Sequence, residues 1–140
     1  MPLAQVKMVL TVDDWSPSGD AVTRATTPEP TEADIRAAVT SLDDFRHTLL
    51  TLESVSGSLL QVGGKPGYYL VGASVFHPAE RHFVLLNGAA EPNATVELSI
   101  GRQTVEHESE EICSFEDAIR EALYFAAHGK MSTNPLWMEL

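Results

Sequence analysis

The sequence predicts an α+β domain: a mostly antiparallel sheet, a meander, with two helices packed on one face. Several short segments alternate apolar and polar residues, and turns rich in Gly and Pro separate most of them. Two longer segments instead repeat their apolar residues at helical spacing. The 140 residues, 44% apolar and 21% charged, fit a single domain over residues 1–140 whose core needs no disulfide or metal.

The N-terminal part predicts one strand and one helix. Apolar side chains alternate over residues 6–12, which predicts the first strand. Residues 13–30 contain three prolines among Asp, Ser, Thr and Gly, which predicts a long loop or insert. Thr31 then caps a helix that ends near Leu42 or Asp43. Its apolar stripe is Ile35, Ala38, Val39 and Leu42.

In the middle of the chain, the alternation of apolar and polar residues predicts six strands. The C-terminal part is predicted to form a helix and a last short strand. The glycine-rich residues 63–67 indicate a tight turn between two of these strands. Ser114 can cap the second helix, and His128-Gly129 can end it. The predicted strands cover residues 48–53, 59–62, 68–75, 82–86, 95–100 and 103–108, with another in 135–140.

Charge narrows the class of partner. The net charge is −11, with 9 Lys and Arg against 20 Asp and Glu. Direct nucleic-acid binding requires clustered cations, so the sequence predicts no such contact and favours a basic partner. A membrane span would need a run of about 18 apolar residues, and none is present. The first residues lack a basic segment followed by an apolar one, which predicts a cytoplasmic protein without a signal peptide.

The sequence predicts neither a catalytic site nor a cofactor or metal site. Cys113 is the only cysteine, which excludes an internal disulfide and a cysteine-based zinc site. The histidines lack metalloprotease spacing, and strand alternation points His107 away from Glu106 and Glu108. Residues 63–67 lack the Gly-Lys-Ser/Thr ending of a phosphate loop, and no Gly-x-Ser-x-Gly elbow occurs.

An acidic run is the first candidate binding feature. Residues 106–117 contain six acidic residues and neither Lys nor Arg. On a continuing strand Glu106, Glu108 and Glu110 would share one face, with Glu111 beside them. Such a surface could attract a basic partner. It could equally be a solvated edge that prevents aggregation through strand pairing.

A second candidate feature is Asp13-Asp14-Trp15, which places an aromatic residue next to two acids. An exposed tryptophan flanked by acids is typical of an interface anchor. The alternative is a tryptophan folded over the rim of the sheet.

Three motifs carry a family resemblance. They are Leu42-Asp43 at the end of the first helix, Gly63-Gly64 followed by Gly67-Tyr68-Tyr69-Leu70-Val71, and a closing segment. That segment runs from Phe115-Glu116-Asp117-Ala118-Ile119 through Ala122, Phe125 and Gly129 to Trp137. In this order the chain resembles, over residues 31–140, the first-described family of polymorphic-toxin immunity proteins, whose genes usually neighbour nucleic-acid deaminase toxins.

The resemblance implies an α+β fold and neutralisation of a cognate toxin by binding, with no catalytic residues to transfer. An acidic inhibitor would complement the basic groove that a deaminase needs for nucleic acid. Two other classes stay open: a small enzyme or ligand-binding domain with its pocket between sheet and helices, and an oligomerisation module. The sequence does not determine the oligomeric state.

Overall fold

A computed structural model describes residues 7–140 and has the predicted α+β architecture. Val6, assigned from sequence to the first strand, lies outside the described residues. The helices are α1 (Glu32–Ser41) and α2 (Phe115–His128). The strands are β1 (Met8–Trp15), β2 (Val22–Pro28), β3 (Leu49–Ser54), β4 (Leu59–Lys65), β5 (Tyr68–Val75), β6 (Arg81–Leu85), β7 (Thr95–Ile100), β8 (Gln103–Glu108) and β9 (Trp137–Glu139).

Seven strands form one antiparallel sheet in the order β2-β1-β3-β4-β5-β6-β9. Consecutive strands β3 to β6 are neighbours, as expected of a meander. Opposite residues such as Leu50, Val62 and Val71 share a face in this register, and all three are fully buried. Both helices contribute to the same core cluster, so they cover this face of the sheet.

Local signals in the sequence set the ends of both helices. Thr31 accepts a hydrogen bond from the amide of Asp34, whose carboxylate accepts one from the amide of Thr31. This reciprocal capping box satisfies two amides that the helix itself leaves free. Ser114 caps α2 by accepting from the amide of Asp117. Gly129 ends α2 at a φ of 71°, in the left-handed region.

Strands β7 and β8 do not extend the main sheet but form a separate antiparallel hairpin. An ideal Cβ built on Gly63 would lie 2.5 Å from Cδ1 of Ile100. In the strand alternation, Gly63 faces away from the buried Val62, so Ile100 packs on the face opposite the helices. The sheet therefore has helices on one face and the β7–β8 hairpin on the other.

The prediction that residues 13–30 form a loop or insert was wrong. Asp13, Asp14 and Trp15 end β1, and a turn over residues 16–21 leads into β2, which pairs with β1 from Trp15 opposite Val22 to Val9 opposite Pro28. Strand β2 lies at the sheet edge and is mostly exposed. A strand without a buried face has no need of apolar alternation, and this removed the signal from the sequence.

The turn predicted for residues 63–67 is shorter than expected. Strand β4 continues through Gly63 and Gly64 to Lys65, and only Pro66 and Gly67 connect it to β5. Gly64 has a φ of 123°, and a Cβ there would lie 2.1 Å from the carbonyl oxygen of Tyr68. The paired glycines thus allow other parts of the chain to pack closely against β4: Ile100 at Gly63 and the backbone of Tyr68 at Gly64.

Neither helix in residues 7–140 combines the length and the apolarity needed to cross a membrane.

Candidate functional site

The acidic run begins on the outer face of the β7–β8 hairpin, with Glu106 and Glu108, and its last two acids, Glu116 and Asp117, lie in the first turn of α2. Glu106 is directly opposite Glu97, and Glu108 is opposite Thr95. These side chains point away from the hairpin face that contains the buried Leu98. We define Glu97, Glu106 and Glu108 as the acidic hairpin face. All three are exposed.

No ion pair of residues 7–140 includes a member of the acidic hairpin face. Like charges directly opposite each other on neighbouring strands are destabilising. The Glu97–Glu106 repulsion is therefore a local cost to the free protein. The ammonium group of Lys65, which donates to the backbone carbonyl oxygen of Glu97 at 3.5 Å, offsets part of it.

Glu110 and Glu111 do not continue strand β8. The prediction that Glu110 shares one strand face with Glu106 and Glu108 was therefore wrong. Ser109–Glu111 forms a short 3₁₀ helix that follows β8 and interrupts the two-residue period. Glu110 is exposed, whereas Glu111 is half-buried and lines a cleft under the hairpin. The acidic run thus presents Glu106, Glu108 and Glu110 to solvent and Glu111 to the cleft.

That cleft lies between the β7–β8 hairpin and the uncovered face of the main sheet, and we call it the hairpin cleft. Its volume is about 450 Å³. Leu70, Val84 and Ile100 form apolar walls, and Gly72 forms part of the floor. Sequence reasoning missed it, because the separation of β7–β8 from the sheet has no local signature.

Asp13 was predicted to contact a partner, but the structure gives it a structural role. Its carboxylate is buried and accepts hydrogen bonds from the amides of Thr48, at 2.6 Å, and Leu49, at 3.0 Å. The hydroxyl of Thr48 and Nε1 of Trp15 also donate to it, the latter at 2.8 Å. The same hydroxyl accepts from the amide of Gly101 at 2.9 Å. Asp13 therefore links β1, β3 and the hairpin.

Asp14 and Trp15 lie at the surface beside residues 43–47, which we call the corner loop. The guanidinium of Arg46 donates to both carboxylate oxygens of Asp14, at 2.7 and 3.2 Å. This hydrogen bonding lowers the pKa of Asp14. Trp15 is half-buried, with its indole N–H held by Asp13. Trp15 therefore packs at the sheet rim, the alternative to an exposed anchor.

The exposed aromatic at this corner is Phe45, which the sequence analysis did not select. Its side chain is 54% exposed, and the guanidinium of Arg102 lies 5.1 Å from its ring centre. One carboxylate oxygen of Asp43 accepts from the amides of Phe45, Arg46 and His47. Asp44 has a φ of 64° and accepts from the amide of Ser99 at 2.6 Å. These bonds hold the corner loop in one conformation. Adjacent aspartates such as Asp43 and Asp44 indicate a turn in the sequence. They do not indicate which side chain of that turn is exposed.

Two candidate nucleophiles are the hydroxyl of Ser74 and the thiol of Cys113. Oγ of Ser74 lies 2.8 Å from Nδ1 of His82, whose Nε2 lies 3.0 Å from a carboxylate oxygen of Glu80. Ser74 and His82 line the hairpin cleft.

Cys113 is buried, and burial, reinforced by the charge of Asp117, raises the pKa of its thiol to about 12. A thiolate is the reactive form of cysteine, so this thiol is unsuited to act as a nucleophile. Across residues 7–140 no group of three His, Cys, Asp or Glu side chains is placed to hold a metal ion. His107 lies on the cleft side of the hairpin, away from Glu106 and Glu108.

The space between sheet and helices, where a ligand pocket was expected under the enzyme alternative, is occupied by the core. Ile35, Ala118, Ala122 and Phe125 of the helices are almost fully buried against the sheet. The hairpin cleft lies on the opposite face.

Comparisons with known proteins support the fold and leave the family open. No family model matches the chain, and no curated protein matches it. The chain is similar to a solved structure titled "Crystal structure of a hypothetical protein from Neisseria gonorrhoeae", with a TM-score of 0.65 over 94% of each chain and 14% sequence identity. At this identity the likeness shows a shared fold alone.

Proposed function

We propose that this protein is a cytoplasmic immunity protein that binds and neutralises a cognate bacterial toxin, a basic domain that deaminates nucleic acid. The family resemblance over residues 31–140 supports the class of protein. The observation that carries the proposal is the run of exposed glutamates at 106, 108 and 110, which has no cationic partner within residues 7–140.

The charge of this surface suits the proposed partner. A domain that acts on DNA or RNA needs a cationic groove for the phosphate backbone. Opposite potentials accelerate encounter to about 10⁸–10⁹ M⁻¹ s⁻¹ at low salt. Fast capture matters for a toxin that enters or is made in the same cell. The acidic hairpin face would then act as a steering surface, and its internal repulsion would be relieved in the complex.

Co-expression with the toxin domain encoded by the neighbouring gene tests this function. We expect restored growth and suppression of base changes in the nucleic acid of the host. Unchanged toxicity, with this protein present and folded, would refute the proposal. Circular dichroism of the purified protein and its level in the cell supply the control for folding.

Charge reversal tests the surface. In Glu106→Lys/Glu108→Lys we expect association with the toxin domain to slow at least tenfold at 10 mM salt, because the steering charge is inverted. The difference should shrink near 150 mM salt, where the Debye length is about 8 Å. The matched control is Glu29→Lys/Glu53→Lys, two exposed acids outside the hairpin with the same change in net charge. Equal association rates for both variants would exclude the acidic hairpin face as the steering surface.

A ligand-binding domain is the second candidate function, and the hairpin cleft is the observation that favours it. A volume near 450 Å³ lies within the range of small-molecule sites, about 300–1,000 Å³. Native mass spectrometry of protein purified from its own host would show a bound small molecule under this function. Under the immunity function we expect the mass of the chain alone, or of its complex with the toxin.

A further inference from the structure

The hairpin cleft is already shaped in the free chain, and its lining combines apolar walls with polar residues. Among the polar residues, Ser74 and His82 are hydrogen-bonded to each other. Leu70, Val84 and Ile100 face the same space, and Gly72 leaves its floor without a side chain. The main-sheet residues come from β5 and β6, and Ile100 comes from the hairpin. Rigid elements on both sides favour binding, because little order must be gained when the site is filled.

Exposed apolar side chains lie on the two surfaces that form the cleft. Leu140 lines it and is 75% exposed. Met138 is opposite Val84 and therefore on the cleft face of the sheet, and it is 40% exposed. Val105 is opposite Leu98 on the cleft side of the hairpin and is 50% exposed. Exposed apolar side chains on the surfaces that flank a cleft favour a protein interaction site.

The cleft also contains two polar side chains that lack partners. His107 and Glu111 line it, and in the described part of the chain neither side chain makes a hydrogen bond or ion pair. An entirely apolar occupant would remove water from the Glu111 carboxylate without replacing its hydrogen bonds, which is unfavourable. The occupant that fits therefore brings a cation or another donor next to its apolar group.

We propose that the hairpin cleft is the socket for an apolar side chain of a basic partner protein, with a neighbouring Lys or Arg of that partner pairing with Glu111. This inference rests on the proposed function and specifies which surface of the chain holds the toxin. The acidic hairpin face attracts the partner, and the cleft retains it. A protein fits better than a small molecule, because the exposed Val105, Met138 and Leu140 extend beyond the cleft and need a surface to cover them.

The division of roles predicts that filling the cleft affects dissociation more than association. Gly72→Leu places a side chain in the cleft, and its Cβ would meet only the carbonyl oxygen of Phe83, at an ordinary 3.5 Å. We expect this variant to fold, to associate with the toxin domain at nearly the wild-type rate, and to dissociate at least tenfold faster. The measurement is surface plasmon resonance with the neighbouring gene's toxin domain, inactivated by substitution, as the probe.

Two further variants make the test specific. Thr11→Leu adds the same side chain to the same face of the sheet, outside the cleft lining, and should dissociate at the wild-type rate. Glu111→Gln preserves the shape of the cleft but removes its charge, and should also dissociate faster. It keeps the proposal testable if Gly72→Leu fails to fold, which urea unfolding would reveal.

The outcomes separate this inference from the proposed function. If wild type does not bind the toxin domain, the proposed function fails. If wild type binds and both Gly72→Leu and Glu111→Gln dissociate at the wild-type rate, the socket is refuted while the function stands. Loss of self-association or of a bound small molecule in Gly72→Leu, with toxin dissociation unchanged, would also refute it and assign the cleft to a second copy or to that ligand.

Discussion

At the scale of single residues, neighbours in the sequence have different roles. Asp13 is buried and accepts from two amides, a hydroxyl and an indole, whereas Asp14 forms a surface pair with Arg46. Removing a buried acceptor leaves its donors unsatisfied, while removing one partner of a surface pair changes little. The two positions thus provide a matched test of burial.

We expect Asp13→Ala to lower the free energy of unfolding by about 3 kcal/mol, because the buried amide and hydroxyl of Thr48 and the partly buried amide of Leu49 lose a charged acceptor. Asp14→Ala should lower it by less than about 1 kcal/mol. Urea unfolding followed by circular dichroism measures both. Equal effects would mean that the Asp13 network does not stabilise the fold.

A second residue-scale prediction concerns Asp43 and acid. Partial burial raises the pKa of Asp43, but the amides of His47, Phe45 and Arg46 outweigh it and hold the pKa below the ordinary 3.8. A lowered folded-state pKa stabilises the protein above the unfolded-state pKa, and this stabilisation is lost as the pH falls through the folded-state pKa. We expect Asp43→Asn to reduce the loss of stability on acidification below about pH 4, by less than about 1 kcal/mol because the side chain is largely exposed.

The measurement for Asp43 is urea unfolding at a series of pH values between neutral pH and the acid transition. The control is Glu53→Gln, which removes an exposed carboxylate of β3 that forms no ion pair within residues 7–140. A pH profile of Asp43→Asn that matches wild type would contradict the role assigned to the corner loop.

At the scale of elements, the position of the β7–β8 hairpin depends on a glycine in a different strand. A Cβ at Gly63 would lie 2.5 Å from Cδ1 of Ile100 and 3.1 Å from the carbonyl oxygen of Thr48. The Ile100 side chain, or the hairpin that carries it, must therefore move to admit even a methyl group. Since Leu98 of the same hairpin is fully buried, a shift of the hairpin disturbs the packing that holds it on the sheet.

We expect Gly63→Ala to destabilise the protein by about 1–3 kcal/mol through overpacking. Combining it with Ile100→Ala should give less than the sum of the two single effects, because the truncated side chain leaves room for the new methyl group. Urea unfolding of the two single variants and the double variant measures this coupling. Additive effects would show that the Gly63–Ile100 contact does not position the hairpin.

At the scale of the whole molecule, charge is distributed unevenly as well as in excess. The net charge is −11. Neither member of the cross-strand pair Glu97–Glu106 forms a side-chain ion pair within residues 7–140, and the nearby ammonium group of Lys65 donates to the backbone carbonyl of Glu97. An acidic surface of this kind increases solubility and accelerates association with basic partners. The repulsion between its charges opposes compact folding.

Neutralisation distinguishes a steering surface from an aggregation-blocking edge. In Glu106→Gln/Glu108→Gln we expect a gain in stability of about 0.2–1 kcal/mol at low salt, because cross-strand repulsion is removed. The gain should decrease as salt screens the charges. Urea unfolding at two salt concentrations measures it. Slower toxin association with unchanged solubility supports steering, whereas an unchanged rate with poorer solubility identifies a protective edge.

Local signals made much of the fold predictable. The caps Thr31 and Ser114, the ending glycine at 129, and the alternation of β7 and β8 all depend on residues within a few positions of each other. Backbone geometry and nearest-neighbour hydrogen bonds decide such features, so the sequence shows them directly. Strand β2 escaped prediction because its exposed edge position imposes no apolar pattern.

The sequence by itself determined the α+β class, both helices, most strands and the acidic character of residues 106–111. Only the tertiary structure decided that β7–β8 lies on the face opposite the helices, that Glu111 faces a cleft, and that Phe45 is exposed while Asp13 is buried. These features depend on contacts between residues far apart in the chain, such as Gly63 with Ile100. No local pattern encodes such a contact, because its energy arises only when the two elements meet.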